Sequence, residues 1–175
     1  MPTTTVTAYA TTTKASGEYS RYLAIRTSPD GNGQTAKYLV ASPQGGVYYA
    51  EFSQQGQQGQ PFFLDDSCRI VNASSINSGA PSYFSQSTNA TTSGDVFFAT
   101  EGYRDVAPVT CLVDTKTGSL QCTNYTTHKQ DTQVCSNDYE YGRWYLGAAE
   151  DPRREFPDLQ CSNATLVAEF AVSNR

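Results

Sequence analysis

Short runs of apolar and aromatic residues, each ended by a turn signal, constrain the fold of this chain more than any other feature. The runs recur at intervals of about 8–15 residues, and none shows the 3.6-residue period of an amphipathic helix. The last run alternates cleanly, with Leu166, Ala168, Phe170 and Val172 on one side of the chain. These patterns predict twelve strands and an all-β fold. The predicted strands are Tyr22–Arg26, Lys37–Ala41, Val47–Phe52, Pro61–Leu64, Cys68–Asn72, Ser82–Ser85, Val96–Thr100, Val109–Asp114, Ser119–Thr123, Thr132–Cys135, Arg143–Leu146 and Thr165–Val172.

The predicted strands fall into three similar units. Val47-Tyr48-Tyr49 recurs as Val96-Phe97-Phe98 after 49 residues and as Trp144-Tyr145-Leu146 after 48 more. Three units of four strands and about 48 residues each are the arithmetic of a β-trefoil, a six-stranded barrel capped by three hairpins. The first strand would then pair with the last and remove the sheet edges. A Greek-key β-sandwich with evenly spaced strands is the alternative.

One domain is predicted over residues 18–175, preceded by a Thr-rich arm or linker at residues 1–17. The chain has 12 Lys and Arg against 17 Asp and Glu, a net charge of −5. This balance argues against nucleic acid or an anionic membrane as the partner, because either requires clustered basic residues. No run of about eighteen apolar residues occurs, so no membrane span is predicted.

The five cysteines favour disulfides over a metal site, because none forms a C-x-x-C pair and the chain has one histidine. Residues 111–122 read as a hairpin with its turn at Asp114–Gly118, which places Cys111 opposite Cys122. Cys135 and Cys161 are the second predicted pair. Cys68 is left over, and a buried, inert thiol is favoured over a bond between chains.

Four N-x-Ser/Thr sequons also indicate a secreted glycoprotein. They begin at Asn72, Asn89, Asn124 and Asn163. Together with the disulfides, they predict an extracellular location.

The C-terminal third carries a succession of motifs. These are Gly118-Ser119-Leu120-Gln121-Cys122, then Cys135, Tyr145-Leu146-Gly147, Cys161 and Thr165-Leu166-Val167-Ala168. This succession resembles secreted and cell-wall-associated surface proteins of filamentous fungi, over about residues 18–172. The resemblance implies a secreted surface domain, and it carries over no catalytic residues.

Enzymatic activity is not predicted, and neither is a metal or a cofactor. A Ser-His-Asp site would depend on His128, which lies in a polar stretch and is expected to be an exposed loop residue. Asp65 and Asp66 are expected to shape a tight turn rather than to cleave glycosides. The stretch Asp30–Gln34 alternates oxygen ligands with Gly but lacks the bidentate Glu of a calcium loop.

Aromatic residues beside charged ones are the most plausible sign of function. Tyr139, Tyr141, Arg143 and Trp144 are predicted to bind carbohydrate, because flat rings stack on sugars while charged groups bond the hydroxyls. The repeat also allows Trp144 to be a core residue. Tyr83-Phe84 is either a second such site or part of the core.

The leading hypothesis is therefore a non-catalytic secreted domain that binds a cell-wall or host glycan. A protein-binding or protease-inhibiting module is the second hypothesis, acting through an inserted loop at residues 147–159 that presents Arg153, Arg154 and Phe156. The third is a structural cell-wall or coat protein with no discrete ligand.

Overall fold

The computed structural model describes residues 23–28, 36–53, 60–76, 78–88, 94–114, 116–136, 142–147, 151–154 and 156–170. Within these ranges the chain is all-β, as predicted, and its strands join in one large antiparallel sheet. The predicted arm at residues 1–17 and the stretch Asp30–Gln34 lie outside the described residues.

The strands are β1 (Leu23–Thr27), β2 (Tyr38–Gln44), β3 (Val47–Ser53), β4 (Phe62–Leu64), β5 (Ile70–Asn72), β6 (Ser82–Ser87), β7 (Phe97–Thr100), β8 (Val106–Pro108), β9 (Thr110–Val113), β10 (Ser119–Thr123), β11 (Thr132–Ser136), β12 (Arg143–Leu146), β13 (Gln160–Asn163) and β14 (Leu166–Phe170). One short helix, α1 (Ala73–Ile76), and a 3-10 turn at Pro152–Arg154 complete the described elements. Neither is long or apolar enough to cross a bilayer.

Six strands pair in a closed succession. β1 pairs with β4, β4 with β5, β9 with β10, β10 with β14, and β14 with β1. A single bridge between Arg69 and Thr110 connects the start of β5 to β9. The pairings therefore return to β1, and the predicted pairing of the first strand with the last is present over five residue pairs.

Three hairpins, β2–β3, β6–β7 and β11–β12, pair with one another beside this succession. The N–H of Ala50 donates to the carbonyl of Val96, and the N–H of Val96 donates to that of Trp144, each at 3.0 Å. All three side chains are fully buried. The hydrogen bonds thus bring Ala50, not Val47, level with Val96 and Trp144. Val47, which the sequence pattern matched to Val96 and Trp144, is exposed near the hairpin turn.

Aromatic rings fill the centre of the core. Phe84 contacts Phe62, Phe98 and Trp144 with ring centroids 4.9–5.4 Å apart, and Phe52 meets Trp144 edge-on at 6.2 Å. Tilted and edge-to-face contacts such as these stabilise beyond the area they bury. The core therefore has an aromatic centre shared by several strands.

Both predicted disulfides are present. Cys111 lies opposite Cys122 in the β9–β10 ladder, and Cys135 opposite Cys161 in the β11–β13 ladder. The turn between β9 and β10 is held by Asp114, whose carboxylate accepts hydrogen bonds from the N–H of Lys116 and the hydroxyl of Thr117. These bonds lower the pKa of Asp114. Cys68 is free and half-buried.

Two strands were not predicted from the sequence, namely β8 and β13. β8 is three residues long and contains a proline, whereas β13 is mostly exposed and polar. Neither carries the alternating apolar pattern on which strand prediction depends. β5 also begins later than predicted, at Ile70, because Cys68 lies in a left-handed turn with φ 61°.

Candidate functional site

The structure places half of the predicted sugar site in the interior. Trp144 is fully buried and Arg143 nearly so. A buried indole has no face to offer a sugar, so Trp144 belongs to the core and not to a surface site. Tyr139 and Tyr141 lie outside the described residues.

Arg143 has a clear structural role. Its guanidinium lies 4.0 Å from the ring centre of Tyr49, and Nη2 donates to Gln44 Oε1 at 2.7 Å. Gln44 in turn donates to buried Glu51 at 2.7 Å, and Asp95 lies 3.9 Å from Nη1. This polar cluster joins the first hairpin to β12. The guanidinium of Arg143 therefore binds groups of the protein itself.

A different surface brings aromatic and charged groups together. The cavity at this surface, here named the Tyr103 cavity, has a volume of about 90 Å³. It lies where β6, β7 and β8 meet the turn before β5. Its lining residues are Arg69, Tyr83, Ser85, Ala99, Thr100, Glu101, Gly102, Tyr103, Val106 and Pro108. Of the earlier alternatives for Tyr83-Phe84, Tyr83 therefore lines a surface cavity, while Phe84 is in the core.

Arg69 is fixed at the cavity by its neighbours. The carboxylate of Asp65 accepts the backbone N–H of Arg69 at 2.9 Å and its Nε–H at 2.7 Å. The guanidinium lies 4.2 Å from the ring centre of Tyr83, and Nη1 is 3.5 Å from Glu101 Oε1. Arg69 is thus held on one side by a turn and on another by an aromatic face.

The same contacts keep Arg69 charged. Burial by itself lowers the pKa of Arg69, but the hydrogen bond and negative charge of Asp65 outweigh it, with smaller contributions from Tyr83 and Glu101. The pKa of Arg69 is therefore raised. The cavity therefore holds a cation at neutral pH.

Tyr103 and Glu101 reach solvent because a tight turn ends β7. The N–H of Tyr103 donates to the carbonyl of Thr100 at 3.3 Å, and Gly102 has φ 83°, which favours glycine at the third position of such a turn. Tyr103 is 64% exposed and the side chain of Glu101 is 74% exposed. The turn thus presents a ring and a carboxylate next to the guanidinium of Arg69.

The end of the first hairpin adds apolar surface near this turn. Tyr48 lies opposite Phe98 in the β3–β7 ladder, so Val47 comes level with Ala99, which lines the cavity. Val47 and Tyr48 are both exposed. Val47 and Tyr48 therefore form exposed apolar surface on the β3 side of β7.

The volume limits what the cavity can hold. Pockets that enclose a drug-sized ligand measure about 300–1,000 Å³, whereas this one has about 90 Å³. It has room for part of one small polar molecule, with the remainder in solvent. A ligand in this cavity could stack on the exposed ring of Tyr103 and could bond the carboxylate of Glu101 and the guanidinium of Arg69.

The predicted protein-binding residues lie on an anchored turn. Pro152 and Leu159 are buried at its two ends, while Arg153, Arg154 and Phe156 are exposed. The N–H of Phe156 donates to the carbonyl of Pro152 at 3.0 Å. The side-chain and backbone hydrogen bonds of Arg153 lower the pKa of Asp151 to about 2.

The sequons differ in their surroundings. Asn72 and Asn124 are buried, and Asn163 is exposed on β13. Asn89 lies outside the described residues.

Other candidate residues have local roles. His128 is exposed in the turn between β10 and β11, and its N–H donates to the carbonyl of Asn124. Asp65 shapes the turn before β5, as expected, by accepting the N–H of Ser67 and of Arg69. Among the described residues, no group of three or more His, Cys, Asp or Glu is placed to bind a metal.

Sequence reasoning missed Arg69, Glu101 and Tyr103. The only available signal was the Glu-Gly-Tyr turn at residues 101–103, since glycine between two strands indicates a tight turn whose neighbours are exposed. Comparison of the chain with models of protein families, with curated proteins and with solved structures found no match.

Proposed function

We propose that this chain is a non-catalytic, secreted surface domain that binds carbohydrate through the Tyr103 cavity. The observation that carries the proposal is the position of exposed Tyr103 beside Arg69 and Glu101 on one concave surface. Sugar recognition uses this combination, because a pyranose has apolar C–H faces for a ring and hydroxyls for charged partners. We assign it as a binding site rather than a hydrolytic one, because Glu101 is the one carboxylate among its described lining residues and glycoside cleavage uses two.

The ligand proposed is a single neutral sugar unit at the end or edge of a glycan. A volume of about 90 Å³ takes part of one ring. Asp65, Tyr83 and Glu101 already contact most of the guanidinium of Arg69. Arg69 therefore orients the carboxylate of Glu101 and forms few new bonds to the sugar. We expect an affinity of about millimolar for one unit, because the contact area is small and few new bonds form.

For the fold, we propose a β-trefoil rather than a sandwich. The closed succession of β1, β4, β5, β9, β10 and β14, with three hairpins that pair beside it, supports this assignment. The two disulfides are compatible with an extracellular location. The relationship to fungal cell-wall-associated surface proteins is part of the proposal and depends on the sequence motifs alone.

The test is binding to a glycan array, with pull-downs on insoluble chitin, β-glucan and mannan. We expect saturable binding to one class and about tenfold weaker binding by Tyr103→Ala, since one stacked ring contributes on the order of 1.4 kcal/mol. Tyr125→Ala is the matched control, because Tyr125 is 61% exposed and does not line the cavity. Glu101→Gln should also weaken binding without changing the melting temperature.

Equal binding by Tyr103→Ala and the parent chain would contradict the assignment to this cavity. Tyr139→Ala and Tyr141→Ala form a second arm of the same experiment. Loss of binding in that arm alone would move the site to the segment before β12, as the sequence by itself suggested.

A second candidate function, protease inhibition, is favoured by the anchored turn that carries Phe156. Buried Pro152 and Leu159 hold both ends of a segment whose Arg153, Arg154 and Phe156 are exposed, as an inhibitory loop requires. A panel of serine and cysteine proteases tests it. Inhibition that Phe156→Ala removes and Leu112→Ala leaves intact would support it. Silence in this panel and in the glycan array would favour the structural coat protein.

A further inference from the structure

We propose that Asn163 is the sequon within the described residues that carries an N-linked glycan, and that this glycan covers the free edge of β13. The inference is independent of the proposed sugar-binding function. It depends on which asparagine amides the folded chain already uses.

Asn124 has no room for a glycan. Its Nδ2 donates to the carbonyl of Leu146 at 2.9 Å, and its Oδ1 accepts the N–H groups of Thr126 and Thr127. The backbone of Gly147 packs so closely that a Cβ there would lie 2.9 Å from Asn124 Cβ. A sugar on Nδ2 would have to be buried in this contact, so a chain modified at Asn124 cannot reach the same fold.

Asn72 is also engaged. It ends β5, and its buried Oδ1 accepts the N–H and the hydroxyl of Ser74 at 3.1 and 2.7 Å. Both bonds begin the turn into α1. The hydroxyl of its own sequon is thus bound to the asparagine, and the residue as a whole is buried.

Asn163 is placed differently. It is exposed, and its Oδ1 accepts a long hydrogen bond of 3.4 Å from Gln133 Nε2, a bond that does not engage Nδ2. Modification forms a bond between Nδ2 and the anomeric carbon of the first sugar. It breaks the bond from that carbon to the diphosphate of an activated oligosaccharide donor, and it releases the diphosphate and one Nδ2 proton. Nothing in the fold has to move.

The glycan would lie beside a strand at the edge of the described sheet. In the described sheet β13 pairs with β11 alone. The Cα atoms of Cys135 and Cys161 are 4.0 Å apart, the short spacing of a pair that does not exchange backbone hydrogen bonds. Because this pair type recurs every second residue, the N–H and C=O groups of Cys161 and Asn163 point away from β11. An exposed edge of this kind invites pairing with a second chain, and a bulky polar glycan blocks it.

Mass spectrometry tests the modification. The full chain is secreted from a eukaryotic cell, and its glycans are removed by an amidase in ¹⁸O-labelled water, which leaves a labelled Asp at each occupied site. We expect label at Asn163 and none at Asn72 or Asn124 in the monomeric fraction. Absence of label at Asn163, or label at either buried asparagine, would overturn the assignment.

Two variants at the sequon threonine test the role of the glycan. Thr165→Ala removes the sequon and keeps Asn163, while Thr165→Ser keeps both and serves as the control. In sedimentation velocity we expect Thr165→Ala to associate as concentration rises and Thr165→Ser to stay monomeric. Identical sedimentation of the two secreted proteins would overturn the edge-covering role.

Discussion

At the scale of single residues, several turns depend on backbone conformations that most side chains avoid. Cys68, Asp105 and His128 have φ of 61°, 58° and 56°, in the left-handed region. A side chain with a Cβ costs about 1–2 kcal/mol in that region, whereas glycine adopts it freely. These positions are therefore places where a substitution can raise stability.

We expect His128→Gly to increase the free energy of unfolding by about 1 kcal/mol. Glycine removes the strain of the left-handed conformation, and its greater freedom in the unfolded chain offsets part of this gain. Loss of the exposed imidazole should change the free energy of unfolding very little. Urea denaturation measures the change. His128→Ala is the control, since it keeps the Cβ, and it should give no increase; an equal gain from alanine would contradict this account.

The carboxylate of Asp151 should titrate at unusually low pH. Its pKa is lowered to about 2, chiefly by the side-chain hydrogen bonds from Arg153, with Nε donating at 2.9 and 3.0 Å. A depressed pKa means that the ion pair is complete above the ordinary value of 3.8 and is lost as pH falls through about 2. Because Asp151 lies at the surface, the effect is on the local turn and not on global stability.

Carbon-detected NMR titration of the Asp151 carboxyl checks this prediction. Arg153→Gln should raise the pKa of Asp151 only part of the way towards 3.8, because the backbone N–H of residue 153 still donates to the carboxylate. Arg154→Gln, which removes only a weaker charge interaction, should move it much less. Equal shifts in the two variants would show that the hydrogen bonds are not the main cause.

At the scale of elements, the disulfides join neighbouring strands that already pair. Cys111 and Cys122 are 11 residues apart and join the two strands of the β9–β10 hairpin. Cys135 and Cys161 are 26 residues apart and attach β13 to β11. The second bond therefore holds an edge strand that has one partner in the described sheet. The first reinforces a hairpin whose turn Asp114 already shapes.

Replacing both Cys111 and Cys122 with alanine should lower the free energy of unfolding by about 3 kcal/mol or slightly more. Loss of loop closure accounts for about 3 kcal/mol on the chain-entropy model, and both sulfurs are buried in the core. Chemical denaturation of the oxidised proteins measures it. Cys68→Ala, at the free and half-buried thiol, is the control and should cost less than about 1 kcal/mol.

At the scale of the whole molecule, the aromatic centre couples the hairpins to the closed succession of strands. Phe62 comes from β4, Phe84 from β6, Phe98 from β7 and Trp144 from β12. Because these rings come from strands in different parts of the chain, no single hairpin can form this core alone. The protein should therefore unfold in one cooperative transition.

Phe84→Ala should lower the free energy of unfolding by about 3–5 kcal/mol, because it leaves a cavity among three other rings. Leu112→Ala, which shortens an exposed side chain on β9, should change it by less than about 0.5 kcal/mol. Calorimetry compares the two. A loss below about 1 kcal/mol for Phe84→Ala would mean that the core rearranges around the gap.

Much of this architecture could be predicted because its signals are local. The alternation of Leu166 and Ala168 predicted the buried face of β14, and symmetric spacing about the Asp114 turn predicted the Cys111–Cys122 bond. The register of β3 against the segment before β7 could not be predicted. Similar residue types at Val47 and Val96 suggested one alignment, whereas the backbone hydrogen bonds bring Ala50 level with Val96.

The candidate site was hidden for a different reason. Arg69, Tyr83 and Tyr103 come from a turn, a strand and a second turn that are far apart in sequence. They lie close together because β6 pairs with both β7 and β8. A pattern of neighbouring residues does not predict which strands pair. Arg143 and Trp144 were predicted to form a surface site because adjacent aromatic and charged residues suggest sugar binding. In the structure Arg143 is buried in a polar cluster and Trp144 is buried in the core.

The pairing of β1 with β14 affects the order of events during synthesis. Arg26 and its partner Glu169 are 143 residues apart. At about 5–20 residues per second, a ribosome takes about 7–30 s to pass from the first to the second. Throughout that interval β1 lacks the strand that completes its ladder, and open strand edges are where unfinished chains associate. We therefore expect the nascent chain to present this edge of β1 to its neighbours until residue 170 has left the ribosome.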